Sequence, residues 1–211
     1  MVSGVSLSAQ RFIKYARSVE KKSRRKRGVK KILPTNKFSQ AGPVSPIVMV
    51  TCVDPNGKPN IITLGMFMSI SIDPLQVCIG VSPERYSHNL IEEKGEFVVN
   101  CPGIELEEAM HLCGIKSGRK IDKFKEFNLT AVTAQKVDPP LIEECYGHLE
   151  CKIVNRLTCG DHTLFVGEVV AASVRENCYK DGKLDLSMAK PIAQKNWIYH
   201  TLSDRKTIPN R

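Results

Sequence analysis

The residues of this chain that can hold an anion stand in short runs where apolar segments end. Ser82, Arg85 and Ser87 follow the apolar run Leu75–Val81 and open the stretch SPERYSHNLI. Ser117 and Arg119, then Asp122 and Lys123, follow a segment with helical spacing. Thr63, Ser69, Ser71 and Asn100 lie within or at the ends of β-rich runs. Hydroxyls, backbone N–H groups and one or two cations are what a phosphate requires. Arginine adds fixed, charge-assisted donors. A helix starting near Ser87 would turn its positive end toward the same ligand. The plainer reading stands beside this one: Arg85 and Arg119 as surface cations, the serines as turn formers.

Other chemistries find little support. There is no nucleophile elbow, no GxGxxG and no phosphate-binding loop of the Walker type. His88, His111, His148, His162 and His200 show no metal spacing, and a lone histidine is more often structural than a ligand. The eight cysteines, at 52, 78, 101, 113, 145, 151, 159 and 178, include no CxxC pair. Cys52, Cys78, Cys101 and Cys151 sit in apolar or alternating runs, which predicts reduced, structural thiols and a cytoplasmic protein.

The elements that must position these residues are mostly strands. PIVMVTCV, NIITLG, MFMSISI, LQVCIGV and EFVVN are β-rich runs, and Asn56-Gly57 between the first two is a hairpin signal. SHNLIEEKG reads as a short helix, with Ser87 or Asn89 as cap and Gly95 as its end. ELEEAMHLCG predicts a second helix, with Leu106, Ala109, Met110 and Cys113 on one face. SGRKIDKFKEF reads as a polar, basic link. In YGHLECKIVNRL, Leu149, Cys151 and Ile153 alternate with His148, Glu150 and Lys152, the pattern of a half-buried strand. TLFVGEVVAASV is apolar on both faces, as expected inside a sheet or at a subunit interface.

The apolar fraction of 42% is enough for a core, and no continuous run reaches the ~18 residues of a membrane span. The net charge of +9 is unevenly spread. Of 31 basic and 22 acidic residues, 12 and one fall in residues 1–40, leaving 19 and 21 for the rest. The chain is therefore divided into a basic N-terminal arm, 1–40, a body, 41–190, and a C-terminal tail, 191–211. The arm is able to contact a polyanion, although a solvated extension or one packed on a partner subunit is the plainer expectation, and nucleic acid is not the expected partner.

The segments PIVMVTCVDPNGKPNIITLGMFMSISIDPLQVCIGVSPERYSHNLIEEKGEFVVNCP, SGRKIDKF and HLECKIVNRLTCGDHTLFVGEVV, in this order and spacing, resemble the flavin reductase-like, FMN-binding split-barrel proteins, the group that includes flavoredoxins. The likeness spans about residues 41–185 and fades in the tail. It implies a mainly β fold with flanking helices: a six-stranded antiparallel split barrel in a homodimer, with FMN rather than FAD near the interface. By position, the main chain of Gly65, Met66, Phe67 and Met68 would border the flavin ring, with hydrogen bonds from Thr63, Ser69 and Ser71. Ser82, Arg85 and Ser87 would face the phosphate. Asn100, Ser117, Arg119, Asp122 and Lys123 would complete the shell. His162 falls where relatives bring a histidine near the flavin or the nicotinamide; a turn residue orienting its hairpin is the alternative. Leu64-Gly65-Met66-Phe67-Met68 departs from the small polar residue and aromatic that many relatives carry, which leaves a more apolar wall.

The resemblance thus implies a flavin reductase, passing electrons from NAD(P)H through FMN to free flavin, ferric iron or a partner protein. No protein acid or base is needed for that transfer, in keeping with the missing catalytic cluster. An electron carrier of the flavoredoxin kind, with little NAD(P)H turnover, is the alternative. A polyanion binder working through the arm is an alternative of another class.

Overall fold

The structure, a computed structural model, describes residues 30–202. Contacts divide the chain into two units, Met1–Phe38 and Ser39–Arg211. In the first, no described residue is buried. The second begins with β1 (Ser45–Pro46), β2 (Val48–Val53), β3 (Pro59–Leu64), β4 (Phe67–Ile72) and β5 (Leu75–Val81). Helix α1 (Tyr86–Lys94), strand β6 (Glu96–Cys101) and helices α2 (Glu107–Ile115) and α3 (Lys123–Glu126) follow. Then come the two-residue strands β7 (Ala131–Val132) and β8 (Leu141–Ile142), and the long strands β9 (Gly147–Cys159) and β10 (His162–Val174). The chain continues through β11 (Tyr179–Lys180), β12 (Lys183–Leu184), α4 (Leu186–Ala189), β13 (Ile192–Lys195) and β14 (Ile198–Thr201).

Seven antiparallel strands make the main sheet, in the order β3-β2-β6-β9-β10-β5-β4. The six strands that the resemblance implies are corrected to seven, because every β-rich run of the body enters one sheet. Its two edges, β3 and β4, are consecutive in the chain but do not pair, so the barrel stays open between them. β13 pairs with β1 and β14, which builds residues 192–201 into a small second sheet.

β2 is buried along its whole length, because period-2 alternation sends its side chains into two cores. Val48, Val50 and Cys52 join Phe97, Phe165, Ile79 and Ile91 of α1. Ile47 and Met49 join Met110, Cys113, Phe124 and Ile192 on the other side. Phe97 and Phe165 are fully buried, each stabilising the fold by roughly 1.5–3 kcal/mol. Gly95 ends α1 in the left-handed region, φ 72°, and donates its N–H to Ile91 O at 3.0 Å, as its sequence position predicts.

Three expectations need correction. Neither Ser87 nor Asn89 caps α1; Arg85 occupies that position without a side-chain bond, and Ser87 lies inside the first turn, buried. The basic link is not all loop, since Asp122 accepts from Lys125 N, starts α3 and sends Phe124 into the second core. His148 and Glu150 do not face solvent as the alternation of β9 predicts. Residues 130–142 cover that face, and Glu150 accepts from Gln135 N at 3.1 Å and Lys136 N at 2.6 Å.

Candidate functional site

The segments Glu84–Ser87 and Cys113–Arg119 meet over Ile62 of β3 and enclose a cavity of about 160 Å³. Elementary packing brings them there. α2 lies against β3, with Thr63 Oγ1 donating to Met110 O at 2.5 Å, so the residues after α2 emerge beside the start of α1. α1 begins after a turn in which Arg85 N donates to Ser82 O at 2.9 Å and His88 N to Arg85 O at 3.0 Å. That leaves the first N–H groups of the helix without helical partners at the cavity's edge.

The wall is positively charged: Arg85, Lys116, Arg119 and Lys123 against the single carboxylate of Glu84. Lys123 is only 4% exposed. Its ammonium donates to Ile61 O and to Cys113 O, both at 2.6 Å, and has a third N–H to give. Burial lowers its pKa from the ordinary lysine value. Among the described residues no carboxylate lies within ion-pair distance of it. A buried cation without an anionic partner is costly, and an anion in the adjoining space relieves that cost. Arg119 is held by stacking, its Cζ 5.3 Å from the centre of the Tyr86 ring.

Of the residues singled out in the sequence, Arg85, Ser87, Ser117, Arg119 and Lys123 line this cavity. Ser82 stands at its turn and accepts from Glu84 N at 3.4 Å. Asp122 caps α3. Thr63 spends its proton on α2. Asn100 is fully buried, donating to Met49 O at 3.1 Å and accepting from Ile142 N at 2.8 Å, so its amide serves the fold. Gly65 joins the two sheet edges; Met66 and Met68 are 53% and 60% exposed, and Phe67 packs on the core. Ser69 and Ser71 flank a bulge on the edge strand β4. His162 stands at the tip of the β9–β10 hairpin, bonded through Nδ1 to Asp161 Oδ1 at 2.7 Å, and does not line the cavity.

Sequence reasoning passed over Asn60, Tyr86 and Gly118. Asn60 Nδ2 donates to Ser87 Oγ at 2.8 Å, while its Oδ1 has no partner. A Cβ on Gly118 would stand 2.0 Å from that oxygen, so a side chain there would displace the Asn60 amide. The signal was present: Asn60 shares the inward face of β3 with Ile62 and Leu64, a polar residue where the pattern calls for an apolar one.

The model of the flavin reductase like domain matches residues 43–188. The chain belongs to the flavin reductase-like family. Among similar proteins, an uncharacterized protein of Archaeoglobus fulgidus is 41% identical over 130 residues, 62% of this chain and 73% of that protein. The ferric-chelate reductase (NAD(P)H) of the same organism is 34% identical over 102 residues, 48% of this chain and 59% of that one. Among solved structures, flavoredoxin of Methanosarcina acetivorans superposes with a TM-score of 0.76 at 28% identity, covering 86% of this chain and 96% of that one. Flavoredoxin of Desulfovibrio vulgaris (Miyazaki F) gives a TM-score of 0.79 at 24% identity, covering 86% and 97%. The open antiparallel sheet with its flanking helices is thus the fold of the split-barrel flavin reductases. In this flavin reductase-like chain the matched region contains both segments that form the cavity.

Proposed function

We propose that this protein binds FMN and works as an oxidoreductase of the flavin reductase type, drawing electrons from NAD(P)H and passing them to free flavin, ferric iron or a partner protein. The observation that carries the reading is the buried ammonium of Lys123, unpaired with any described carboxylate, beside a cavity lined by two arginines and a helix start. That donor set fits a phosphate monoester. Arg85, Ser87, Arg119 and Lys123 would hold the phosphate. Bound flavin would supply hydride acceptance from a nicotinamide and release of electrons to the acceptor.

The chain's own part is to bind and orient. β4 is an edge strand, so main-chain groups of Gly65–Ser69 on its free side are available to a planar heterocycle, and Met66 and Met68 offer an apolar bed. A homodimer would cover that surface. Eight free cysteines suit a reducing, cytoplasmic setting.

The deciding measurement is titration of FMN and riboflavin into wild type and Arg85→Ala. A hydrogen bond to a charged group contributes roughly 1.5–3 kcal/mol, so FMN affinity is expected to fall about ten- to a hundredfold. Riboflavin, which lacks the phosphate, is expected to change little, and Arg85→Lys to recover part of the loss. Equal losses for both ligands, with a lowered melting temperature, would make Arg85 a brace of α1 instead.

The likeness to flavoredoxin of Methanosarcina acetivorans favours a second reading, an FMN-holding electron carrier with little turnover. Steady-state NADH and NADPH oxidation in the presence of FMN separates the two. The polyanion reading concerns residues 1–40, of which 1–29 lie outside the described residues.

A further inference from the structure

Asn60 is 5% exposed and stands between the two segments that form the cavity. Its Nδ2 donates to Ser87 Oγ at 2.8 Å and reaches Cys52 Sγ at 3.7 Å. A serine hydroxyl has one proton to give and two lone pairs to fill. With one lone pair engaged by Asn60, the orientation of the proton is decided by the acceptors that remain. Among the described residues no protein oxygen accepts from Ser87 Oγ. The neighbouring sulfur of Cys52 is a weak acceptor. A phosphate oxygen in the cavity is a strong one. On the other side, the unpartnered Oδ1 of Asn60 fills the space that a side chain at position 118 would need, 2.0 Å from an ideal Cβ. The Ser117–Arg119 turn therefore sits where Asn60 lets it sit. Arg119, stacked on Tyr86 at 5.3 Å, moves with that turn.

We propose that Asn60 is a positioning residue for phosphate recognition: it holds Ser87 Oγ from behind so that the serine proton is donated to the ligand's phosphate, and it sets the height of the Ser117–Arg119 turn across the cavity. Asn60 itself touches no phosphate oxygen in this account. The inference rests on reading the cavity as the FMN phosphate site, and the test separates the two.

FMN and riboflavin are titrated into the full chain by flavin fluorescence, for wild type, Asn60→Asp, Asn60→Ala, Ser87→Ala, the Asn60→Ala/Ser87→Ala double variant and Arg85→Ala. In Asn60→Asp the carboxylate takes the Ser87 proton and places a like charge near the anion. FMN affinity is expected to fall about tenfold or more near neutral pH, with riboflavin within about twofold. Relative to wild type at each pH, that loss is expected to shrink on acidification, as the introduced carboxyl takes up a proton. The double variant is expected to lose less FMN affinity than the two single losses added, since the part of the Asn60 effect that acts through Ser87 is already gone in Ser87→Ala. Should Asn60→Asp fail to fold, Gly118→Ala reads the other contact, and a loss confined to FMN supports the proposal. Additive losses in the double variant, or equal losses for both ligands while Arg85→Ala remains selective for FMN, would leave Asn60 a bracket of the fold and overturn the proposal. If Arg85→Ala also fails to distinguish FMN from riboflavin, the phosphate reading falls, and the role of Asn60 falls with it.

Discussion

Single residues of one type play unlike parts in this chain, and burial decides which. Burial pushes the thiol of Cys52 up to about 11, and that of Cys101 likewise to about 11. The thiols of Cys113 and Cys151 rise to about 12. The thiolate is the reactive form, so these groups are inert near neutral pH. Cys159, at the end of β9, is exposed. Native protein mixed with a disulfide reagent near pH 7 is expected to release one thiol equivalent in a fast phase, and Cys159→Ser to abolish it. A fast phase that survives the substitution would show that one of the buried thiols opens to solvent.

At the scale of elements, β9 and β10 are tied to the covering segment by one imidazole. His148 Nε2 donates to Ile142 O at 2.9 Å, which in the neutral ring leaves Nδ1 to accept from Ser173 Oγ at 3.0 Å. Burial lowers its pKa from the ordinary value of 6.5. The sign follows from linkage: below that ordinary value the unfolded chain takes a proton that the folded ring resists. Stability is therefore present above it and is lost as pH falls toward the folded pKa. Melting curves near pH 7.5 and pH 5.5 are expected to show a larger loss for wild type than for His148→Asn, which starts less stable because Ile142 O and Ser173 lose their bonds. Equal losses in the two proteins would assign the acid sensitivity to other groups.

At the scale of the whole molecule, one face of the main sheet is left partly uncovered by the described residues of its own unit, 39–202. Cross-strand register puts Met68, Cys78 and Val166 in one row, and Gly80, Leu164 and Leu157 in the next. Both rows lie opposite the core-facing Phe67, Ile79 and Phe165. Met68 and Leu157 are 60% and 58% exposed, with Met66, Ile70 and Val154 also open to solvent. An apolar surface of this kind is usually covered by a partner. Light scattering of the full chain is expected to report about twice the monomer mass, and a Met68→Asp/Leu157→Asp variant to report the monomer. A wild-type monomer that binds FMN would remove the dimer from the proposed function.

The strands were legible because period-2 alternation and turn residues are local properties, and all seven β-rich runs of the body appear in the sheet at the expected places. The turn of α1 into β6 was legible for the same reason, since a glycine in the left-handed region marks a helix end by itself. The linked segments were also enough to expect the family that the chain is found to belong to. What the tertiary structure decided is which polar residues keep free hydrogen-bonding capacity. Asn100 and Arg85 look alike as candidates in the sequence, yet Asn100 gives its bonds to Met49 and Ile142 while Arg85 remains open at the cavity. Asn60 was read as the start of a strand, and its link to Ser87 appears only when β3 and α1 are packed together, 27 residues apart in sequence. Lys123 belonged to a basic link until packing of α2 and α3 on β3 enclosed its ammonium between two carbonyls. Partners of that kind are set by which elements touch. That in turn is set by how apolar faces across the whole chain are buried together, a sum over contacts distant in sequence that no local pattern records.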